Sequence, residues 1–349
     1  MKSSSMALLL SAAACLTAAV PASEAAADTG EVCFDVNVRG GQSEVCAAVF
    51  ESSSPIARRV GATLLAVHGL TETAQTWEPL ASAMLADKTL KHLVRRVVAI
   101  DLPGHGASEA PTGLPGGVRF GDLTIHDNLS VVIQAIDSLR AQGLGAQVIM
   151  GHSMGGLAVQ GVQEVLLDQG SSLAKHGVKA AILIAPVPAT GAPWTQPPPS
   201  NLAPFVVADP ALGTYLDIPP AIGRIAGGFT TFAGTQVPNT PSVAKMADYL
   251  GWEPITSALQ LVGQIPQLPR PDAREGAFAT RNGTVLMVVS FSQDVLTPQV
   301  DHDDLYRYLL GRPGLLFRPI TTPEAVHNMH ITDPVGLLRE LRDLPLMFQ

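Results

Sequence analysis

Short apolar runs alternate with helical periods along this chain, and that alternation constrains its fold more than any other feature of the sequence. Six largely apolar runs have the length of a buried strand, at residues 62–67, 94–100, 147–150, 180–184, 284–289 and 314–320. Between them, apolar side chains recur at spacings of three and four, as at Leu129, Val132, Ile133, Ile136 and Leu139. Buried strands that alternate with helices favour a mostly parallel sheet flanked by helices on both faces. The sequence therefore predicts an α/β fold.

The composition narrows the class of protein. The chain has 349 residues, of which 46% are hydrophobic and 15% charged, which suits a globular protein of two domains, or of one large domain with an insertion. Its formal net charge is −8, and it contains no basic cluster. Because contact with a phosphate backbone needs a positive surface, no nucleic acid is expected as a partner.

Residues 1–27 have the pattern of a secretory signal peptide. Lys2 gives a positive start, residues 6–20 are apolar, and small residues follow, with cleavage expected after Ala22 or Ala27. The apolar stretch is shorter than the ~20 residues that a membrane-spanning helix needs. No later stretch is long and apolar enough to cross a bilayer. We therefore expect an exported protein, periplasmic or extracellular, without a membrane span.

A β-hairpin is predicted at the start of the mature chain. Two runs of alternating side chains, residues 32–38 and 44–50, flank Arg39 and Gly40. A turn of two or four residues centred on this pair places Cys33 opposite Cys46. In an oxidising compartment this arrangement favours a disulfide bond, and two buried free thiols are the alternative.

Residues 188–271 break the alternation of strands and helices. This segment is rich in proline, has no apolar run of strand length and contains two helical patches, at residues 243–250 and 256–262. A linker would be polar, whereas this segment carries the aromatic residues Trp194, Phe205, Tyr215, Phe229, Phe232, Tyr249 and Trp252. We predict a lid inserted into a core formed by residues 28–187 and 272–349. Its aromatic side chains are expected to line a substrate pocket, and packing of the lid against the core is the alternative.

The pattern G-x-S-x-G follows the third apolar run. Residues 151–155 read Gly-His-Ser-Met-Gly, and a helical run begins at once. Glycines permit a sharp turn from strand to helix that lifts the Ser153 hydroxyl clear of the backbone, next to a helix N-terminus that favours negative charge. Ser153 is therefore the candidate nucleophile.

With this motif the chain resembles the serine hydrolases of the α/β-hydrolase superfamily. The resemblance extends from about residue 63 to the C-terminus, excluding the lid. It rests on His68-Gly69 after the first long strand, on Asp-Leu-Pro-Gly-His-Gly-Ala-Ser at residues 101–108, and on the sequence around Ser153. It implies that the backbone N–H groups of Leu70 and Met154 stabilise an oxyanion.

The acid and the base of such enzymes follow the serine in that order. Asp294, at the end of the run 284–289, is the expected acid; Asp301, Asp303 and Asp304 are nearby but suit the start of a helix. In the last loop, the pattern H-x-x-H-x-x-x-P resembles the superfamily, and it implies that His327 is the base. His330 is then a pocket-wall or packing residue, or the base if the register of this loop differs.

These residues predict a secreted serine hydrolase that cleaves carboxylic esters through a Ser-His-Asp triad and an acyl-enzyme. The expected substrate is a small, uncharged, moderately hydrophobic ester, and neither a cofactor nor a metal is implied. A lactonase, an amidase or aminopeptidase, or a cofactor-free perhydrolase would use the same triad. A catalytically silent binding protein on the same fold is a further alternative, because fold and triad do not specify a substrate.

Overall fold

The structure, a computed structural model, describes residues 28–69, 72–118, 123, 125–186, 206–209, 213–216, 284–294, 297 and 315–348. The predicted signal peptide, residues 1–27, lies outside the described residues. So does most of the predicted lid, including both helical patches. Within the lid segment the structure describes only the backbone of two short strands.

Eight of the ten described strands form one sheet. The strands are β1 Asp28–Val38, β2 Gly41–Glu51, β3 Ala62–Val67, β4 Val94–Ile100, β5 Val148–His152, β6 Ala180–Ile184, β7 Val206–Asp209, β8 Gly213–Leu216, β9 Val285–Phe291 and β10 Leu315–Ile320. The large sheet has the order β1-β2-β4-β3-β5-β6-β9-β10. β2 pairs antiparallel with β1 and with β4, and every other pairing in this sheet is parallel. The mostly parallel sheet confirms the predicted α/β class.

The predicted strands are found with small shifts at their ends. β3, β4 and β6 have the predicted bounds, whereas β5 continues through Gly151 and His152. One expectation is wrong: the lid segment was predicted to lack strands, yet β7 and β8 pair antiparallel within it. Their eight positions carry alternating or mixed side chains rather than a continuous apolar run, so apolar content alone does not reveal them.

Helices cover both faces of the sheet. They are α1 Pro55–Val60, α2 Glu78–Ala86, α3 Leu90–Leu93, α4 Ile125–Ala141, α5 Met154–Asp168, α6 Met329–Thr332 and α7 Pro334–Glu340. Short 3₁₀ helices lie at Ala74–Trp77, Pro115–Gly117, Leu173–His176 and Leu344–Phe348. Among the described helices, none combines the length and the apolar character needed to cross a membrane.

The core is divided into two layers by the sheet. In β3, Leu65 and Val67 pack into the layer under α4 and α5, while Leu64 and Ala66 pack into the layer under α2 and α7. This follows from the period of two along a strand, which sends successive side chains to opposite faces. Both faces of the strand are therefore buried, as its continuous apolar sequence predicts.

The N-terminal hairpin has the predicted turn and disulfide. Arg39 and Gly40 form a two-residue turn with φ of 49° and 88°. Tight hairpin turns of this type need a positive φ at both central positions, which glycine adopts most readily. Cys33 lies directly opposite Cys46 in the β1–β2 register, with their Cα atoms 4.1 Å apart, and the two form a disulfide bond. The prediction of this bridge is confirmed.

Candidate active site

Ser153 lies at the sharp turn between β5 and α5. Its φ of 51° is in the left-handed region that a non-glycine residue rarely adopts. The turn is held by two backbone hydrogen bonds, from the Ser153 N–H to the Ile184 carbonyl at 3.0 Å and from the Leu157 N–H to the Ser153 carbonyl at 3.1 Å. Met154 is the first residue of α5, where backbone N–H groups have no acceptor within the helix.

The two glycines of the turn are required by close backbone contacts. A Cβ at Gly151 would lie 2.4 Å from the carbonyl oxygen of Gly155, and a Cβ at Gly155 would lie 2.2 Å from that of Val67. Neither distance is possible for a real side chain, and the obstructing atoms are backbone. The motif thus reflects steric necessity in this fold.

Asp294 and His327 meet beside this turn. Nδ1 of His327 lies 2.8 Å from Oδ2 of Asp294, and both residues are buried. Thr297 also contacts the carboxylate: its hydroxyl donates to Oδ2 at 2.7 Å and its N–H donates to Oδ1 at 2.8 Å. The carboxylate is therefore fixed on both oxygens, which orients the imidazole opposite it.

The two groups shift each other's pKa. Burial alone would raise the pKa of Asp294, but the charge and hydrogen bond of His327 outweigh it, and the pKa is lowered. Burial alone would lower the pKa of His327, but the facing Asp294 carboxylate outweighs it, and the pKa is raised above the usual 6.5. The pair thus favours a carboxylate beside an imidazole that readily accepts a proton.

His152 connects the nucleophile turn to the loop that carries His327. Its Nε2 lies 3.0 Å from the backbone carbonyl oxygen of His327, and the two rings have centroids 4.7 Å apart. Ser153 follows His152 directly in the chain. The structure therefore brings Ser153, His327 and Asp294 to the same end of the parallel strands.

Glu72 is a part of this region that the sequence analysis missed. The residue is 3% exposed, and its Oε2 lies 3.1 Å from His152 Nδ1 and 2.7 Å from the backbone nitrogen of Gly69, which donates to it. Burial would raise the pKa of Glu72, but the charge and hydrogen bond of His152 hold it at about 2. No local motif marks this residue, because its partner His152 is 80 positions away.

Thr297 is the second missed residue. A signal for it exists in the sequence, because Thr297 follows Asp294 by three positions, a spacing at which side chain and backbone N–H can both reach the carboxylate. Its hydroxyl also lies 3.3 Å from the Ala185 carbonyl oxygen, which links the acid loop to the end of β6.

His330 packs below the site. It is fully buried, and its ring lies against those of His152 and Trp77, at centroid distances of 4.1 and 5.2 Å. Neither ring nitrogen has a hydrogen-bond partner among the described residues. Burial lowers its pKa well below 6.5. These contacts agree with the predicted packing role.

The expected oxyanion loop is described only in part. Leu70 lies outside the described residues, so the role of its N–H stays a prediction. The preceding His68 is fully buried, donates from Nδ1 to the Gly69 carbonyl at 2.8 Å and accepts at Nε2 from the Leu102 N–H at 3.0 Å. This ring therefore fixes the backbone immediately before Leu70.

A group of side chains beside the candidate site has the spacing of metal ligands. Donor atoms of Glu72, His152 and His330 lie within 4.8 Å of one another, all buried. In this structure the Glu72 carboxylate and the His152 Nδ1 are directed at each other, at 3.1 Å. The arrangement is that of a carboxylate and an imidazole within hydrogen-bond distance of each other.

Comparison with known proteins places the chain in a family. The model of the alpha/beta hydrolase family matches residues 64–340, so the chain belongs to this family. The match covers most of the chain and includes all the residues of the site just described. No curated protein matches the chain.

Solved structures show the same fold at low sequence identity. An esterase from Exiguobacterium antarcticum is 14% identical with a TM-score of 0.53, over 90% of this chain and 100% of that one. An esterase domain of a Rhodothermus marinus protein is 15% identical with a TM-score of 0.51, over 91% and 98%. A thioesterase domain from the curacin biosynthetic pathway is 14% identical with a TM-score of 0.53, over 91% and 99%. The similarity concerns the fold.

Proposed function

We propose that this protein is an exported serine hydrolase that cleaves carboxylic esters with Ser153 as nucleophile, His327 as base and Asp294 as acid. The observation that carries the proposal is the hydrogen bond of 2.8 Å between the buried side chains of His327 and Asp294, next to a serine with φ of 51° between a strand and a helix. Membership of the alpha/beta hydrolase family supports the same chemistry.

The proposed reaction has two stages. His327 Nε2 takes the hydroxyl proton of Ser153 while Oγ bonds to the ester carbonyl carbon and the carbonyl electron pair moves to its oxygen. The backbone N–H groups of Met154 and Leu70 stabilise that oxyanion. Its collapse expels the alcohol, which takes the proton from His327. Water, deprotonated by the same imidazole, then attacks the acyl-enzyme and releases the acid and Ser153.

A small, uncharged, moderately hydrophobic ester is the proposed substrate. Residues 188–271 carry seven aromatic side chains and few charges, and in the sequence this segment follows β6, which ends at the same end of the sheet as Ser153. A pocket walled by such residues excludes water and favours apolar acyl groups.

Export is proposed on two grounds. The N-terminal sequence has the organisation of a signal peptide, and the disulfide between Cys33 and Cys46 suits an oxidising compartment. A cytosolic environment would keep these thiols reduced.

The direct test uses a p-nitrophenyl ester assay with Ser153→Ala. We expect turnover to fall by ~10⁴-fold or more, with an unchanged circular dichroism spectrum, because the triad acts as a unit. A fluorophosphonate probe should label the wild-type protein at Ser153 alone. Turnover or labelling that survives in the folded variant would refute the proposal. Lactones, thioesters and aminoacyl anilides in the same panel distinguish the alternative acyl chemistries.

The assignment of the base is tested by a matched pair. His327→Ala should fall to about the level of Ser153→Ala, because the proton acceptor is gone. His330→Ala should keep much of its rate, since neither nitrogen of that ring has a partner among the described residues. The reverse order of activities would make His330 the base.

A further inference from the structure

The carboxylate of Glu72 joins two segments of the site through one oxygen. Oε2 accepts from the N–H of Gly69, at 2.7 Å, and faces Nδ1 of His152, at 3.1 Å. Gly69 immediately precedes Leu70 of the expected oxyanion loop, and His152 immediately precedes the nucleophile. A Cβ at residue 69 would lie 2.8 Å from Glu72 Oε2, so a side chain there would have to displace the carboxylate.

The ring of His152 adds a third segment. Its Nδ1 faces the Glu72 carboxylate, and its Nε2 faces the carbonyl oxygen of His327 at 3.0 Å. Both neighbours are acceptors, so the ring satisfies them together when both nitrogens carry a proton. The side chains of Glu72 and His152 are 4% and 0% exposed, so water does not replace this contact and each side chain depends on the other for it.

We propose that Glu72 and His152 form a positioning pair that sets the oxyanion loop, the nucleophile turn and the base loop in register. This inference rests on the proposed function. Neither residue is given a chemical step: the pair acts through Gly69 on the oxyanion loop and through the His327 backbone on the base. A displacement of about 1 Å in such an assembly can cost ~10²-fold in rate, so the pair is catalytically important without touching substrate.

The variant Glu72→Gln isolates the charge of this pair. Glutamine has the shape of glutamate, and its oxygen can still accept from Gly69, but the negative charge that faces His152 is gone. We expect kcat to fall about tenfold in Glu72→Gln and ~10²-fold in Glu72→Ala, with KM within about threefold of the wild type. A residue that only supported folding would not move kcat per folded molecule.

The second set of variants tests whether the two residues act as a unit. His152→Gln keeps an amide N–H for the His327 carbonyl but has no partner for Glu72. The double variant Glu72→Gln/His152→Gln should be no slower than the slower single variant, because the link is already broken. Multiplied losses would mean independent roles and would overturn the proposal.

Controls separate positioning from stability. Glu109→Gln makes the same chemical change at an exposed site and should leave kcat unchanged. Leu139→Ala removes a buried side chain in α4, so it should lower the melting temperature without lowering kcat per folded molecule. The proposal is overturned if the kcat of the Glu72 variants follows melting temperature alone, or stays within twofold of the wild type.

Two further measurements complete the test. Fluorophosphonate labelling of the wild type at Ser153 tests the proposed function separately. If the wild-type protein is not labelled, the serine hydrolase assignment fails, whatever the activities of the Glu72 variants. Elemental analysis of the purified protein should give no stoichiometric zinc. Zinc that is lost in Glu72→Gln would make these side chains metal ligands and overturn the positioning pair.

Discussion

Ser153 is held in a backbone conformation that its own side chain disfavours. A left-handed φ such as its 51° costs an L-residue ~1–2 kcal/mol. Gly151 and Gly155 admit the close backbone contacts around it, but the strain at Ser153 itself remains. At this residue the backbone conformation places the hydroxyl at the cost of local stability.

This strain can be measured by comparing two inactive variants. Ser153→Gly removes the steric penalty of the left-handed conformation, while Ser153→Ala retains it. Relief of the strain favours the glycine variant, and the greater freedom of glycine in the unfolded chain opposes it. We expect the measured free energy of unfolding to be about 1 kcal/mol higher for Ser153→Gly than for Ser153→Ala. Urea denaturation of both variants gives the difference. Equal or reversed stabilities would show that the turn is not strained.

The Asp294–His327 pair predicts the acid limb of the pH profile. The base acts when neutral, and the Asp294 carboxylate raises the pKa of His327, so the fall of kcat/KM towards low pH should have its midpoint above 6.5. The charge of Glu72 also raises the pKa of His327, and the ring of His152 lies against the His327 ring. In Asp294→Asn the raising charge is gone, so the midpoint should move to lower pH while kcat falls by ~10⁴-fold. An unmoved midpoint would contradict the assignment of the acid.

Sequence reasoning predicted candidate residues that lie in or near local motifs, and it missed Glu72 and Thr297. Ser153 lies in a pattern of five residues, and Asp294 and His327 follow predicted strands, so each could be located from its neighbours. Glu72 could not, because its importance arises only when folding brings it against a residue 80 positions later. Leu70, predicted from the resemblance, stays a prediction.

The hairpin is the element that joins the edge of the sheet to a helix. The backbone of Asn37 in β1 makes two hydrogen bonds with Gln134 of α4, each 2.8 Å long, and Arg39 in the turn forms an ion pair with Asp127 at 2.7 Å. Strand β1 lies at one edge of the sheet and is thus fixed by side chains on one side and by β2 on the other.

The disulfide in this hairpin should contribute to stability and not to catalysis. It links residues 13 positions apart, which corresponds to ~3 kcal/mol in the chain-entropy account. The double variant Cys33→Ala/Cys46→Ala should lose about that much free energy of unfolding in urea, with kcat unchanged. Mass spectrometry of the exported protein without reduction should find no free thiol. Two alkylatable thiols in the native protein would contradict the bridge.

Element boundaries were predicted best where burial is two-sided. In β3, β4 and β6 the apolar run and the strand coincide, because both faces of each strand are covered. In β5 the apolar run stops at Met150 but the strand continues to His152. Gly151 and His152 belong to the G-x-S-x-G motif, so the end of the strand is not apolar. The strands of the hairpin are longer than predicted, because the residues at their added ends, 28–31, 41–43 and 51, are polar or glycine and form no apolar run.

At the scale of the whole molecule, the predicted lid is expected to choose the substrate. If its aromatic residues wall the acyl pocket, alanine at Trp194, Phe229 or Trp252 should change the preferred acyl length. Kinetics with p-nitrophenyl esters of increasing chain length measure this preference. Residues that only pack should lower the melting temperature and leave the preference alone, and if no lid aromatic changes it, the lid does not select the substrate.

The contact between His152 and the base loop has a consequence for how such a protein can change over generations. His152 binds the main-chain oxygen of residue 327, not its side chain, so any amino acid at that position preserves the contact. A single substitution there would abolish the proposed chemistry and leave this main-chain contact in place. Descendants of this protein therefore have a short route to losing turnover while they keep the hydrogen bond that ties the nucleophile turn to the base loop.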